Sequence, residues 1–552
     1  MNFFDKISKQ VKEPPKRKNF GYTEYFQKAE NMRDHLDKIS PTMCLAKWLQ
    51  VSINLANGTT QSCYHPPPHA IPLLELKENH SALHNTKFKK QERELMLTGK
   101  RPEGCSYCWR VEDAPGGGPQ GHLSDRHYKS SEAWAAPDFR DVVLKDVDFN
   151  IVPRYVEVNF NQACNFKCMY CSPHISTAWE EEIKEHGPYN FDLPGSTKVD
   201  HNNLRNLKVS GYMPLEVAVK DNPYVTAFWK WWPEIYRTLR VFRMTGGEPL
   251  MDKNTFKVLD YVNENPHGQL ELSITSNMCP PDQKLFDKFI SKVQAIEVIR
   301  TYEDTENFNK FSNNYWYVDK GFKHFWLYIS LDGVGQQAEY MRTGLDYERL
   351  MSNTRKFLTE TRYTTVSFIN TFNILSIPSL KSWLQMVLDL RVEFGGKNQT
   401  EFEIAPEPTD HEKEHGIEHT KYFQKKFQRI FLDIPLLKYP NWFDPQNATP
   451  VLIRTIEDCL EFMRSNAQRE DYRETFEGFK PHEILKLERN LAIIKEGKDP
   501  AVVQTNRLQF YQYINEYDRR RDTTFLEVFP EMNSYYNECK LLQMRIDDAK
   551  KT

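Results

Sequence analysis

The run Cys164-Asn165-Phe166-Lys167-Cys168-Met169-Tyr170-Cys171 constrains this chain more than any other stretch. With ten cysteines in 552 residues, a C-x3-C-x2-C spacing is expected by chance only about 0.003 times. The triplet directly follows Tyr155 to Phe160, an apolar alternating run that reads as a β-strand. In βα architectures, chemistry is placed on loops beyond the C-terminal ends of strands. Zinc asks for four ligands and usually paired C-x2-C elements, whereas three closely spaced thiolates suit three corners of a cubane [4Fe–4S] cluster. One iron is then left without a cysteine, and an open metal position marks catalytic rather than structural centres. A zinc knuckle with a remote fourth ligand is the competing reading.

Around the triplet, short β-type runs alternate with amphipathic helical stretches from 151 to 410. The strand-like runs are Tyr155 to Phe160, Leu239 to Met244, Gln269 to Thr275, Phe325 to Leu331, Thr364 to Phe372 and Glu401 to Ile404, with helical patterns at 252 to 264, 281 to 292 and 378 to 391. This βα order, repeated about six times, predicts an α/β fold with parallel strands and crossover helices, as an open sheet or a full or partial barrel. Residues 187 to 222, rich in Gly and Pro, read as an insertion. Residues 1 to 40 read as a polar tail, and 41 to 140 as a small loop-rich domain with little core of its own, which calls for a metal or another staple. The region 411 to 552 reads as helical, with periodic stretches at 450 to 465, 481 to 496 and 534 to 549.

Composition excludes several classes. Hydrophobic residues at 39% and aromatics at 13% are too many for a mainly disordered chain. A formal charge of −3 gives no global field towards nucleic acid or anionic lipid. No apolar run reaches the roughly 20 residues that span a bilayer, and the first residues lack a hydrophobic signal segment, which places the chain in a reducing cytoplasm. There, clustered cysteines favour metal over disulfide.

At the triplet, with Tyr170 before the last cysteine, the sequence resembles the radical S-adenosylmethionine (SAM) superfamily. The resemblance covers about 151 to 410 and implies a partial (β/α)6 TIM-like barrel. In that family the amino and carboxylate groups of SAM chelate the fourth iron, and one electron from the cluster cleaves SAM to methionine and a 5′-deoxyadenosyl radical. Gly246-Gly247-Glu248-Pro249, ending the second strand, looks like the family's element for the SAM amino group; two glycines let backbone come close and Glu248 offers an acceptor for an ammonium. Ser276-Asn277 ends the third strand, where the family holds the SAM carboxylate and ribose. Ser330-Leu331-Asp332-Gly333 ends the fourth and resembles the element of the peptide- and protein-modifying branch. Arg342 is implied as a partner of the methionine carboxylate, and Asn370, on the fifth strand, as a neighbour of the ribose. Cys279 reads either as a substrate-facing thiol or as a buried small hydrophobe.

A second set, Cys44, Cys63, Cys105 and Cys108, occupies the 41 to 140 segment. Four thiolates there satisfy either a zinc ribbon or an iron–sulfur cluster. The spacing Cys44-x13-Gly58-x4-Cys63 resembles the opening of the SPASM and twitch auxiliary-cluster domains of radical SAM proteins, which favours an auxiliary [4Fe–4S] cluster with zinc as the alternative. Its position before the barrel departs from the family, in which such domains more often follow it.

The expected function is therefore a radical SAM enzyme that modifies a peptide or protein by hydrogen abstraction, supplied by a one-electron donor such as a flavodoxin or ferredoxin. Nucleic acid and membrane partners are not expected. Two rivals remain: a radical SAM dehydrogenase or epimerase acting on a small molecule or sugar, and a non-catalytic zinc or iron–sulfur binding module.

Overall fold

The computed structural model describes residues 22–115, 121–193, 199–216, 221–296, 322–361, 364–394, 428–468 and 477–551. The chain divides into two compact units, one of Met1–Cys164, Leu207–Ile274 and Arg300–Lys323, the other of Asn165–Asn206, Thr275–Ile299 and His324–Thr552.

The first unit is organised by parallel strands. Gln50–Asn54 pairs with Tyr155–Asn159, which pairs with Val241–Thr245, which pairs with His267–Ser276, all in parallel. Thr59–Gln61 and His69–Ala70 continue the sheet beyond Gln50–Asn54 in antiparallel fashion. Because side chains alternate across a strand, one face carries Val51, Ile53, Val156, Val158, Phe242, Met244 and Leu272, all buried. Helix Pro223–Thr238 covers that face: Asn222 caps its first turn and Trp232 packs edge-on against Phe242 with ring centroids 4.8 Å apart.

Two sequence expectations change here. The stretch 1 to 40, read as a polar tail, carries helix Tyr22–Asp37, whose Ala29, Arg33 and Leu36 are buried. Nor is the cysteine-rich segment short of core, because Trp48, Trp109, Trp134, Phe139 and Met96 pack together with Cys44, Cys105 and Cys108. Aromatic side chains bury large areas each, so a few of them build a core from a loop-rich sequence.

The second unit holds parallel strands Phe322–Ser330, Thr364–Ile369 and Ile430–Asp433, with Phe325 opposite Thr364 and Val366 opposite Ile430. Helices Gly335–Met341, Tyr347–Glu360 and Leu380–Phe394 lie between them in sequence. The run Glu401 to Ile404 falls outside the described residues. A strand at Ile430–Asp433 lies in the region expected to be helical, and that expectation is corrected. Among the described residues, the longer C-terminal helices are Pro450–Ser465, Pro481–Glu496, Pro500–Arg521 and Asn533–Lys551. Arg391, on Leu380–Phe394, pairs with Glu483 on Pro481–Glu496 at 2.7 Å, both side chains fully buried, which ties this helical region to the strands' crossover helix.

The molecule is thus a mixed α/β protein with parallel strands and many helices. Among the described residues, no helix is long and apolar enough to cross a membrane.

Candidate functional site

In the first unit, the chain leaves strand Tyr155–Asn159 and turns through Asn161, whose Oδ1 accepts from the Ala163 amide at 2.7 Å. The end of the neighbouring strand packs on this turn. Gly246 stands against the Asn159 side chain, and a Cβ on Gly247 would lie 2.2 Å from the Ala163 carbonyl oxygen, a distance no side chain tolerates. The Glu248 amide donates to that same carbonyl at 2.6 Å. Glu248 is buried and its carboxylate accepts from the Leu250 amide at 3.0 Å, capping the Pro249–Met251 turn. The Gly-Gly-Glu-Pro run therefore lies directly against the residue that precedes Cys164.

The second unit contains the rest of the cysteine loop. Lys167–Cys168 and Arg342–Thr343 form a two-residue antiparallel ladder in which Cys168 faces Arg342. The Arg342 guanidinium donates to Asp332 Oδ2 at 2.8 Å and to Cys168 Sγ at 3.4 Å, and also meets the Tyr170 hydroxyl. Tyr170 donates to the same Asp332 oxygen at 2.7 Å. Asp332 is fully buried; its other oxygen accepts from the Thr371 amide at 2.8 Å, and its carbonyl accepts from Asn370 Nδ2 at 3.1 Å. Asn277 donates to Asn165 Oδ1 at 3.0 Å, one residue beyond Cys164, while Ser276 Oγ accepts from the Met278 amide at 3.0 Å and so shapes the strand-end turn. Ser330 closes its strand, half-buried, two residues before Asp332.

Charge follows from this packing. Burial is the largest influence on Arg342 and works against its charge, but the charge and hydrogen bond of Asp332 together with Tyr170 and Cys168 more than offset it, holding the guanidinium well above its ordinary range. Burial pushes the Tyr170 hydroxyl and the Cys168 thiol up, with Arg342 opposing both shifts. Cys164 and Cys171 are half-buried. By donor chemistry the residues fit an iron–sulfur cluster: three thiols on one loop, with a guanidinium at the middle one that favours the thiolate iron binds. Cys279 is buried, and its thiol donates to the Asp346 carbonyl at 3.4 Å, while Cys459 and Cys539 are buried in helices.

Back in the first unit, Cys44, Cys63, Cys105 and Cys108 all line one small cavity, together with Lys47, His65 and Arg126. Gly58, between the first two cysteines, has φ +72°, and a Cβ there would stand 2.1 Å from the Tyr224 ring. Burial pushes Cys44 and Cys108 up to about 12, and raises Cys63 and Cys105 as well, Lys47 opposing the shift at Cys105. Lys47 is itself buried and paired with Glu92 at 2.6 Å. As free thiols the four are neutral, so any metal they hold must displace their protons. Among the described residues, no three or more His, Cys, Asp and Glu side chains are already arranged to hold a metal ion. The four thiols are thus gathered at one cavity without forming a finished ligand set, and the same holds for Cys164, Cys168 and Cys171, which suit a cluster by donor type and spacing rather than by present geometry.

No protein-family model matches the chain, and no curated protein matches it. Among solved structures, a match is found with the crystal structure of Streptococcus suis SuiB bound to precursor peptide SuiA. It is 10% identical, covers 71% of this chain and 72% of that one, and has a TM-score of 0.24. A likeness of that size carries no weight for fold or function.

Sequence reasoning did not single out Thr343, Tyr513, Tyr517 or Arg521, all of which bond to the cysteine loop, to the strand beside it or to each other. Thr343 follows Arg342 and could have been found from that neighbour; the other three lie more than 340 positions from the loop and carry no local signal.

Proposed function

We propose that this protein is a radical SAM enzyme in which Cys164, Cys168 and Cys171 hold a [4Fe–4S] cluster. The observation that carries the reading is the gathering of Tyr170, Asp332 and Arg342 on Cys168, since Tyr170 belongs to the cysteine run, Asp332 to the end of the fourth predicted strand and Arg342 to a position ten residues beyond it, and they meet through hydrogen bonds of 2.7 to 3.4 Å. A cluster bound there supplies one electron for the cleavage of SAM to methionine and a 5′-deoxyadenosyl radical. The chain's own part is to seat and orient. Gly246 and Gly247 leave backbone room beside the loop, and Glu248 offers a carboxylate to the SAM ammonium. Asn277, Ser276 and Asn370 offer polar contacts for its carboxylate and ribose. Arg342, held by Asp332, offers a guanidinium of fixed direction. Pro249 and Ser330 belong to the same proposed SAM-binding elements.

The substrate class is a peptide or protein, and the reaction a hydrogen abstraction. Cys44, Cys63, Cys105 and Cys108 are assigned to an auxiliary [4Fe–4S] cluster, with zinc as the alternative, and a flavodoxin- or ferredoxin-like donor supplies the electron. The test uses anaerobically prepared protein: iron and acid-labile sulfide are measured, SAM and dithionite are added, and 5′-deoxyadenosine is sought. Cys168→Ala is expected to abolish that product. Its persistence, or purified protein that binds only zinc, overturns the assignment.

A further inference from the structure

The C-terminal region carries no motif, yet one of its helices reaches the cysteine loop. Tyr513, Tyr517 and Arg521 recur at four-residue intervals on helix Pro500–Arg521, a spacing that sets them on one face. Tyr513 is fully buried, and its hydroxyl donates to the Met169 carbonyl at 3.2 Å. Met169 lies between Cys168 and Cys171, so that hydrogen bond lands on the backbone joining two cysteines of the triplet. Tyr517, also fully buried, donates to the Tyr340 carbonyl at 2.7 Å and meets the Thr343 hydroxyl. Arg521 donates to Thr343 Oγ1 at 3.0 Å and to Glu182 at 2.7 Å, and Glu182 in turn pairs with Lys167 at 2.9 Å. Lys167 and Thr343 are the register pair next to Cys168 and Arg342. The helix thus grips both strands of the ladder and the turn beyond it.

Its own seat is firm. The Tyr513 ring stacks on Tyr189 with centroids 4.5 Å apart and packs against Phe443 at 5.2 Å. Asn506 donates to Asn447 at 2.9 Å, buried, and Arg520 lies over the Tyr189 ring at 3.9 Å. A hydroxyl carried on such a rigid platform defines a position rather than following one.

We infer that helix Pro500–Arg521 is a positioning element for the triplet: Tyr513 fixes the backbone between Cys168 and Cys171, and Tyr517 with Arg521 fixes the Arg342–Thr343 strand. This rests on the proposal that the triplet holds a cluster. Neither tyrosine touches substrate or SAM in this role; both act through the loop.

The test compares two substitutions that each remove a tyrosine hydroxyl donating to a backbone carbonyl. Tyr513→Phe removes the contact to Met169; Tyr236→Phe removes the contact to Asn265, a site in the other compact unit. Full-length wild type, both variants and Cys168→Ala are reconstituted anaerobically. Transfer of iron to a chelator is followed over time, and the electron paramagnetic resonance signal of dithionite-reduced protein is recorded with and without SAM. The iron that Cys168→Ala lacks is expected to leave Tyr513→Phe about five-fold faster than wild type, the effect of losing one buried neutral hydrogen bond, with an altered response of the signal to SAM. Tyr236→Phe is expected to match wild type in both readouts. If the two tyrosine variants behave alike, the helix only packs, and the inference is overturned. If Cys168→Ala keeps all the iron and the same signal, it is the cluster assignment that fails, a result distinguishable from the first.

Discussion

Arg342 offers the sharpest energetic test. Its guanidinium and the Asp332 carboxylate are 2.8 Å apart, with side-chain exposures of 5% and 0%. Breaking a buried ion pair from one side costs about 3–5 kcal/mol, because the surviving charge stays desolvated. In Arg342→Met the hydrocarbon volume is largely kept, and Asp332 retains the Tyr170 hydroxyl and the Thr371 amide. Those two donors place the expected loss at the lower end, about 3 kcal/mol. Asp332→Asn is expected to cost a similar amount by leaving Arg342 without its counter-charge. The double variant removes both charges together, so its loss should fall short of the sum by about 2 kcal/mol. A chain of this length need not unfold in one step, so the assay is local: hydrogen–deuterium exchange of peptides covering 330–345 and 165–172 across a urea series, on metal-free reduced protein. A loss under about 1 kcal/mol for Arg342→Met, or strict additivity in the double variant, would refute the reasoning that this pair is desolvated and mutually dependent.

Two further outcomes follow from single positions. Gly247→Ala puts a methyl group 2.2 Å from the Ala163 carbonyl oxygen, which is backbone and cannot swing aside; a loss of about 1–3 kcal/mol is expected, read by hydrogen–deuterium exchange of peptides covering 155–164 and 241–251 across a urea series. His201 is buried, and that burial lowers its folded value to about 4, so its imidazole is neutral in the folded chain. Protons then bind the unfolded state preferentially: this contribution is fully present above the unfolded value of about 6.5 and drains as pH falls towards 4, up to about 3 kcal/mol. His201→Leu should flatten the pH dependence of local stability by one proton in that window, read by hydrogen–deuterium exchange of peptides covering 199–206 across a urea series, and an unchanged slope would count against the assignment.

The legible part of the molecule is the part written in local pattern. Strands such as Val241–Thr245 and helices such as Lys253–Glu264 follow from alternation, 3.6-residue periodicity and capping by Asp252. The strand-end residues were legible because spacing along the chain and position after a strand are both visible in one dimension. Ile430–Asp433 was not, since a four-residue strand is defined by its pairing with Thr364–Ile369 rather than by its own sequence. Gln50–Asn54 escaped for the same reason; its place beside Tyr155–Asn159 is a tertiary fact. Helix Tyr22–Asp37 looked like a tail because it buries only a narrow stripe. Helix Pro500–Arg521 mixes polar and aromatic residues around its circumference, and the meaning of Tyr513 lies in a partner 344 positions away.

The short ladder between Lys167–Cys168 and Arg342–Thr343 bears on the order of assembly. Its two strands come from stretches 174 positions apart, so the loop takes this path only once both have docked. Contacts of such long range are gained and lost together, so an insertion in either stretch should loosen the other as well.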